Sequence, residues 1–116
     1  MSKYEPIRVL PVGWTQISSP IGGWAYGYRD GLRVLVSTNT ERDGREWLHV
    51  SCSCADRLPP WSVLKWVKTI FIGRDKVAIQ VLPKESEYVN THPHVLHLWH
   101  CLDGDVIPNF ALDGMI

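Results

Sequence analysis

The chain has 116 residues, of which 45% are hydrophobic and 21% charged, and its 12 Lys plus Arg balance 12 Asp plus Glu. That length predicts one core and a single domain over 1–116. A net charge of zero argues against duplex nucleic acid as a partner, because phosphate binding draws on excess positive charge. No apolar run approaches the roughly 20 residues that cross a bilayer, so no membrane association is expected. The start, Met1-Ser2-Lys3-Tyr4, lacks the apolar segment of a signal peptide. Three cysteines are an odd count for a disulfide framework, and the cytoplasm is the expected location.

Residues 1–23 contain Pro6, Pro11 and Pro20 and end in Gly22-Gly23. They read as an N-terminal arm with one short strand around Ile7–Leu10, anchored by Trp14, Ile17 and Ile21. The core spans 24–107. Its first strands, Trp24–Arg29 and Leu32–Ser37, flank Asp30-Gly31, a strong hairpin signal. A second turn, Glu41 to Arg45, leads into a strand over Trp47–Cys54. Leu58–Gly73 then reads as the one helix. Pro59 and Pro60 suit a helix start, and Trp61, Leu64, Val67, Lys68 and Phe71 recur at three- and four-residue spacing. Gly73 stands where a left-handed cap is wanted. Trp61 and Phe71 are both expected to be buried. Strands over Val77–Leu82 and Val95–Leu102 follow, and 108–116 form a tail. The order β-β-β-α-β-β predicts an α+β fold: a mainly antiparallel sheet of about five strands with the helix on one face.

Alternate strand residues face opposite sides of a sheet. One side carries Leu32, Val34 and Val36; Leu48, Val50, Cys52 and Cys54; Val77, Ile79 and Val81; Leu96 and Leu98. This aliphatic face belongs under the helix. The other side carries Arg33 and Ser37; Trp47, His49 and Ser51; Ala78 and Gln80; His97 and Trp99. Its aromatic and hydrogen-bonding groups suit a recognition surface, with Trp47, His49, His97, Trp99, Arg33 and Gln80 as ligand contacts. That requires the strands at 47–54 and 95–102 to be neighbours or one strand apart. The competing reading folds the arm over this face and makes Trp47 and Trp99 a second core.

Two constellations hint at chemistry. His92, His94, His97, His100 and Cys101 are rich in metal-ligating groups, with Cys52 and Cys54 elsewhere. Their spacings match no zinc signature, and His97 and His100 would point to opposite faces with His100 half-buried, so neither a metal nor a cofactor is expected. His49-Val-Ser51 resembles half of the paired His-x-Ser/Thr tetrads of two-histidine phosphoesterases, where one imidazole acts as base and the other as acid. His49, Ser51 and His97 would be the catalytic candidates, but Trp99 stands where the second hydroxyl belongs. Arg57 and Asn90 are polar loop residues suited to turns and capping. The catalytic set is incomplete, which points away from an enzyme.

Several short blocks occur in order: Trp47-x-His49-Val-Ser51, Arg57-Leu-Pro59-x-Trp61-x-x-Leu64-x-x-Val67-Lys68-x-x-Phe71-Ile-Gly73, Gln80-Val-Leu-Pro83, Tyr88-Val-Asn90-x-His92-Pro93 and Leu96-His97-Leu-Trp99. Together they resemble a family of small uncharacterised proteins of tailed bacteriophages and prophages that carries a domain of unknown function. The resemblance covers roughly 46–110. Relatives often carry an acidic residue after the helix tryptophan, where this chain has Ser62. It implies a setting, phage infection, and no catalytic residues. The expectation that follows is a phage-encoded accessory protein in the host cytoplasm. It would bind a host protein or a small nucleotide-like ligand through the Trp/His face and blunt a host defence. The alternatives are a two-histidine phosphodiesterase-like enzyme and a minor virion or assembly protein, for which self-association through exposed tryptophans would be the sign.

Overall fold

The computed structural model describes residue 7 and residues 9–19, 23–54, 59–73, 77–82 and 94–104. The expected class is present: one antiparallel sheet and one helix, α+β. In chain order the elements are β1 (Trp14–Ile17), β2 (Trp24–Tyr28), β3 (Arg33–Thr40), β4 (Glu46–Cys54), α1 (Trp61–Phe71), β5 (Ala78–Leu82) and β6 (His94–Cys101), with one 3-10 turn at Arg29–Gly31. The six strands lie in the order β1-β2-β3-β4-β6-β5, every neighbouring pair antiparallel.

The additional strand comes from the arm, and it is not where the sequence put it. The described residues between Ile7 and Leu10 form no strand. Pro6 and Pro11 bracket that segment, and each removes an amide that a ladder would use. The chain instead turns at Gly13, whose φ of 95° suits glycine, and the Trp14 amide donates to the Pro11 carbonyl at 3.2 Å. β1 then pairs with β2, placing Trp14 opposite Tyr28.

The two expected turns form as read. Gly31 (φ 78°) closes β2 to β3, with the Tyr28 amide donating to the Leu32 carbonyl at 2.9 Å, and Gly44 (φ 88°) closes β3 to β4. At the start of β4, the Glu46 amide donates to Asp103 Oδ2 at 2.7 Å and the Leu102 amide to the Glu46 carbonyl at 2.9 Å. These bonds pin the end of β6 to the start of β4.

Helix α1 begins after Pro60, which is extended at its N-cap, and is closed two residues past Phe71 by Gly73 (φ 66°), whose amide donates to the Lys68 carbonyl at 2.9 Å. Leu64, Val67 and Phe71 are its buried stripe. Trp61, expected in that stripe, is 50% exposed. Helical side chains lean towards the N-terminus, so a bulky residue in the first position projects past the helix start rather than down onto the sheet. Phe71 is buried against Tyr26 (ring centroids 4.9 Å) and Trp14 (5.1 Å). Trp66 meets Trp14 at 5.4 Å and Tyr28 at 4.9 Å. Edge-to-face and tilted ring pairs of this kind add to burial, and they tie the arm to the helix.

Ile7, Leu10 and Trp14 of the arm therefore lie on the helix side. Ile7 and Leu10 pack against the same core as Trp14, which holds Val34, Val36, Val50, Leu98 and the helix stripe. A second core built by folding the arm over the opposite face is not what its described residues do. Among the described residues no helix is long and apolar enough to cross a membrane. Asn90 and His92, Arg57 and the tail from 108 lie outside the described residues.

Candidate functional site

The face away from the helix is where β4 and β6 run side by side, so the strands carrying the candidate residues are direct neighbours. Register fixes what meets what. His49 stands opposite Trp99, Ser51 opposite His97 and Trp47 opposite Cys101; on the other flank Ser37 of β3 faces His49. Alternation sends all of these side chains to one side, while Val50, Cys52, Leu96 and Leu98 go to the helix.

At the centre, the Trp99 ring stacks on His49 with centroids 4.1 Å apart and planes 22° apart. His49 in turn shares a hydrogen bond between its Nε2 and Nδ1 of His97, the residue diagonally across the ladder. The two imidazole planes differ by only 6°, with centroids at 4.7 Å. A bond between ring nitrogens is made in the plane of both rings, so these imidazoles lie side by side rather than face to face. Both are half-buried.

That bond needs one N–H and one lone pair, so the two rings cannot both be protonated while it persists. Burial lowers the pKa of His49 from the usual 6.5 to about 4, and the charge of His97 adds to the effect. Burial alone lowers His97 to about 4. At neutral pH the pair is uncharged. Two buried polar atoms on this face have no hydrogen-bond partner among the described residues, His97 Nε2 and Trp47 Nε1. Trp47 is 3% exposed, yet it lies outside the main core, as do Ala25 and Cys101 on the same side.

Of the residues named from the sequence, Trp47, His49, His97, Trp99 and Ser51 are brought together. Gln80 is the register partner of His97 on β5, and its side chain lies outside the described residues. Arg33 is on the correct face but is exposed and pairs with Ser53. It lies four residues along β3 from Ser37, roughly 13 Å at the rise of a strand, and does not join the cluster. Cys52 and Cys54 lie on the helix side, across the sheet from His97, and His100 is buried there too at 7% exposure rather than half-buried. Among the described residues no group of three His, Cys, Asp or Glu side chains is placed to hold a metal ion. Sequence reasoning missed the direct contact between the two imidazoles, since alternation shows that they share a face but not that they touch.

Fold and site together define a small α+β sheet protein with a helix on one face and a tryptophan-stacked histidine pair on the other. The model of the family described as a domain of unknown function, DUF7694, matches residues 39–103, more than half of the chain, and the chain belongs to that family. The matched segment contains Trp47, His49, His97 and Trp99, and leaves out Arg33. No curated protein and no solved structure matches the chain.

Proposed function

We propose that this is a non-enzymatic, phage-encoded accessory protein, acting in the host cytoplasm. It binds a host factor or a small ligand through the Trp47, His49, His97 and Trp99 face and thereby counters host defence. One observation carries the reading: the sheet face that neither α1 nor the described arm covers holds a stacked Trp99–His49 pair bonded to His97. Aromatic planes beside polar ring edges suit recognition of planar or polar groups, with stacking typically worth ~1–3 kcal/mol per base-like ring. The phage setting and the anti-defence role rest on the sequence blocks and on analogy, since a fold does not fix a function.

The two-histidine phosphodiesterase alternative draws no support from this geometry. Acid–base cleavage places the imidazoles on either side of a phosphate, and rings that bond each other leave no gap for one. The virion or assembly reading calls for exposed tryptophans, and among the described residues Trp61 is 50% exposed; a single exposed ring is too small a patch to carry that reading.

The test is affinity purification from infected cells with the wild-type chain and with Trp99→Ala. The variant is expected to lose at least tenfold in binding of whatever partner or small molecule the wild type retains, while its circular dichroism is kept. A variant that retains full binding, or that unfolds before any binding loss appears, overturns the proposal.

A further inference from the structure

We propose that the Trp/His face is covered in the free protein by the chain's own residues 105–116, and that a partner gains the face by displacing them. The second clause rests on the reading that this face binds a partner; the first does not.

Burial comes first. Trp47 is 3% exposed and Cys101 2%, and Ala25, Ser51 and Ser53 on the same face are buried as well. Trp47 Nε1 and His97 Nε2 have essentially no accessible surface. Neighbouring strands lie about 4.8 Å apart, so their side chains stand beside one another and not over one another. The flanking residues of Trp47 are Asn39, which is exposed, and Cys101, while Trp99 is turned onto His49. The described elements put no second layer there: the six strands form one sheet, and α1 packs on the other side with Ile7, Leu10 and Trp14. A sheet face that is closed to solvent needs such a layer. The cover must come from a stretch outside the described residues.

Position selects the stretch. β6 ends at Cys101, opposite Trp47, and the Leu102 and Glu46 amides hold the chain there through the Glu46 carbonyl and Asp103 Oδ2. Residues 102–104 then turn, and Gly104 takes a φ of 143°, which favours glycine. Residue 105 therefore starts beside the most deeply buried part of the face. Residues 83–93 join β5 to β6 at the opposite end, next to Leu82 and Val95, and β6 runs roughly 23 Å from His94 to Cys101.

Composition agrees with position. Val106, Ile107, Phe110, Leu112, Met115 and Ile116 make 105–116 mainly apolar, whereas 83–93 carry Lys84, Glu85 and Glu87. Extended, 105–116 reach up to about 40 Å, enough to run from Trp47 past His97. Apolar side chains laid on the Trp47 and Trp99 rings remove both surfaces from water, the main favourable term in such packing.

The experiment labels the thiols of the full chain with a maleimide and reads each site by mass spectrometry. Cys101 lies on the covered face, and Cys52 lies under the helix and reports unfolding. Phe110→Asp/Leu112→Asp puts charge into the segment. Cys101 of this variant should label at least tenfold faster than in the wild type, with Cys52 unchanged. The dye anilinonaphthalene sulfonate, a planar aromatic probe, should bind the variant at least tenfold tighter, and adding Trp99→Ala should remove that gain. Cys101 that labels no faster, or dye binding that does not change, overturns the proposal. If Cys52 speeds up together with Cys101, NMR of the wild type decides. Contacts of the Trp47 indole with Phe110 or Leu112 uphold the cover, and their absence overturns it. A covered face whose partner binding is untouched by Trp99→Ala keeps the cover and removes the binding reading. Binding lost in Trp99→Ala on a face that 105–116 do not cover removes this proposal alone.

Discussion

Acid should destabilise this protein through the two imidazoles of the sheet face. Each is held neutral in the fold, with its pKa lowered from 6.5 to about 4, whereas the unfolded chain protonates them near the ordinary value. Below pH 6.5 the unfolded state therefore binds more protons, and stability falls as pH drops. The contribution is intact above about pH 6.5, is lost between 6.5 and 4, and changes little below 4. One pKa unit corresponds to about 1.36 kcal/mol, so at pH 5, 1.5 units below the unfolded value, each imidazole costs about 2 kcal/mol. The pair sums to at most about 4 kcal/mol, a large part of the 5–15 kcal/mol typical of a folded domain. Urea unfolding followed by tryptophan fluorescence at pH 7 and pH 5 measures the loss. Other groups also titrate over this range, so the double variant His49→Gln/His97→Gln supplies the baseline. The wild type should lose about 2–4 kcal/mol more than the double variant between the two pH values. Equal losses in the two proteins would refute the reasoning, because they would mean that the imidazoles titrate as freely in the fold as in the open chain.

Two further predictions concern the other parts of the fold. Phe71→Ala removes a side chain that is 1% exposed and packed between Trp14 and Tyr26, and should cost about 3–5 kcal/mol by denaturant unfolding; an unchanged midpoint would mean that the helix does not bear on the sheet. Gly23→Ala places a Cβ against the Val36 carbonyl oxygen at a φ of 76°, and should lower stability by about 1–3 kcal/mol, readable as a drop in melting temperature without loss of the β-sheet circular dichroism signal.

Much of this architecture is legible in the residues. Pro59-Pro60, the spacing of Leu64, Val67 and Phe71, and Gly73 encode the helix locally, and Asp30-Gly31 encodes the first hairpin, because these signals act over a few residues. The two faces are equally legible, since the side-chain period in a strand is two. Register is a different matter. A slip of two residues between β4 and β6 would keep every side chain on its face and would set His49 opposite His97 or Cys101 instead of Trp99. Nothing local distinguishes these pairings, so the bond between the two imidazoles could not be read from the chain. β1 was hidden for another reason: its apolar residues, Trp14 and Ile17, are only two in a segment of four, and what makes it a strand is the edge offered by β2. Trp61 illustrates a third limit, for helical periodicity assigns a stripe without saying where along the helix its support ends.

The two sheet faces also differ in what their buried polar atoms contribute. Trp14 Nε1, on the helix side, also has no hydrogen-bond partner among the described residues. Its ring buries a large apolar surface against Phe71 and Trp66, which offsets an unmet donor, and Trp47 can be explained in the same way. His97 cannot. An imidazole offers little apolar surface, its protonation is suppressed by burial, and its Nε2 is left unpartnered among the described residues. An aliphatic side chain at that position would extend the packing without any of these penalties, as Leu96 and Leu98 do on the opposite face. His49 repeats the imbalance beside it. A fold under no other constraint gains nothing from two neighbouring histidines that raise its sensitivity to acid and leave a ring nitrogen unsatisfied. Local conflicts of this kind concentrate at functional sites. The histidine pair, more than the tryptophans that first draw the eye, is therefore the part of this face whose presence packing does not explain.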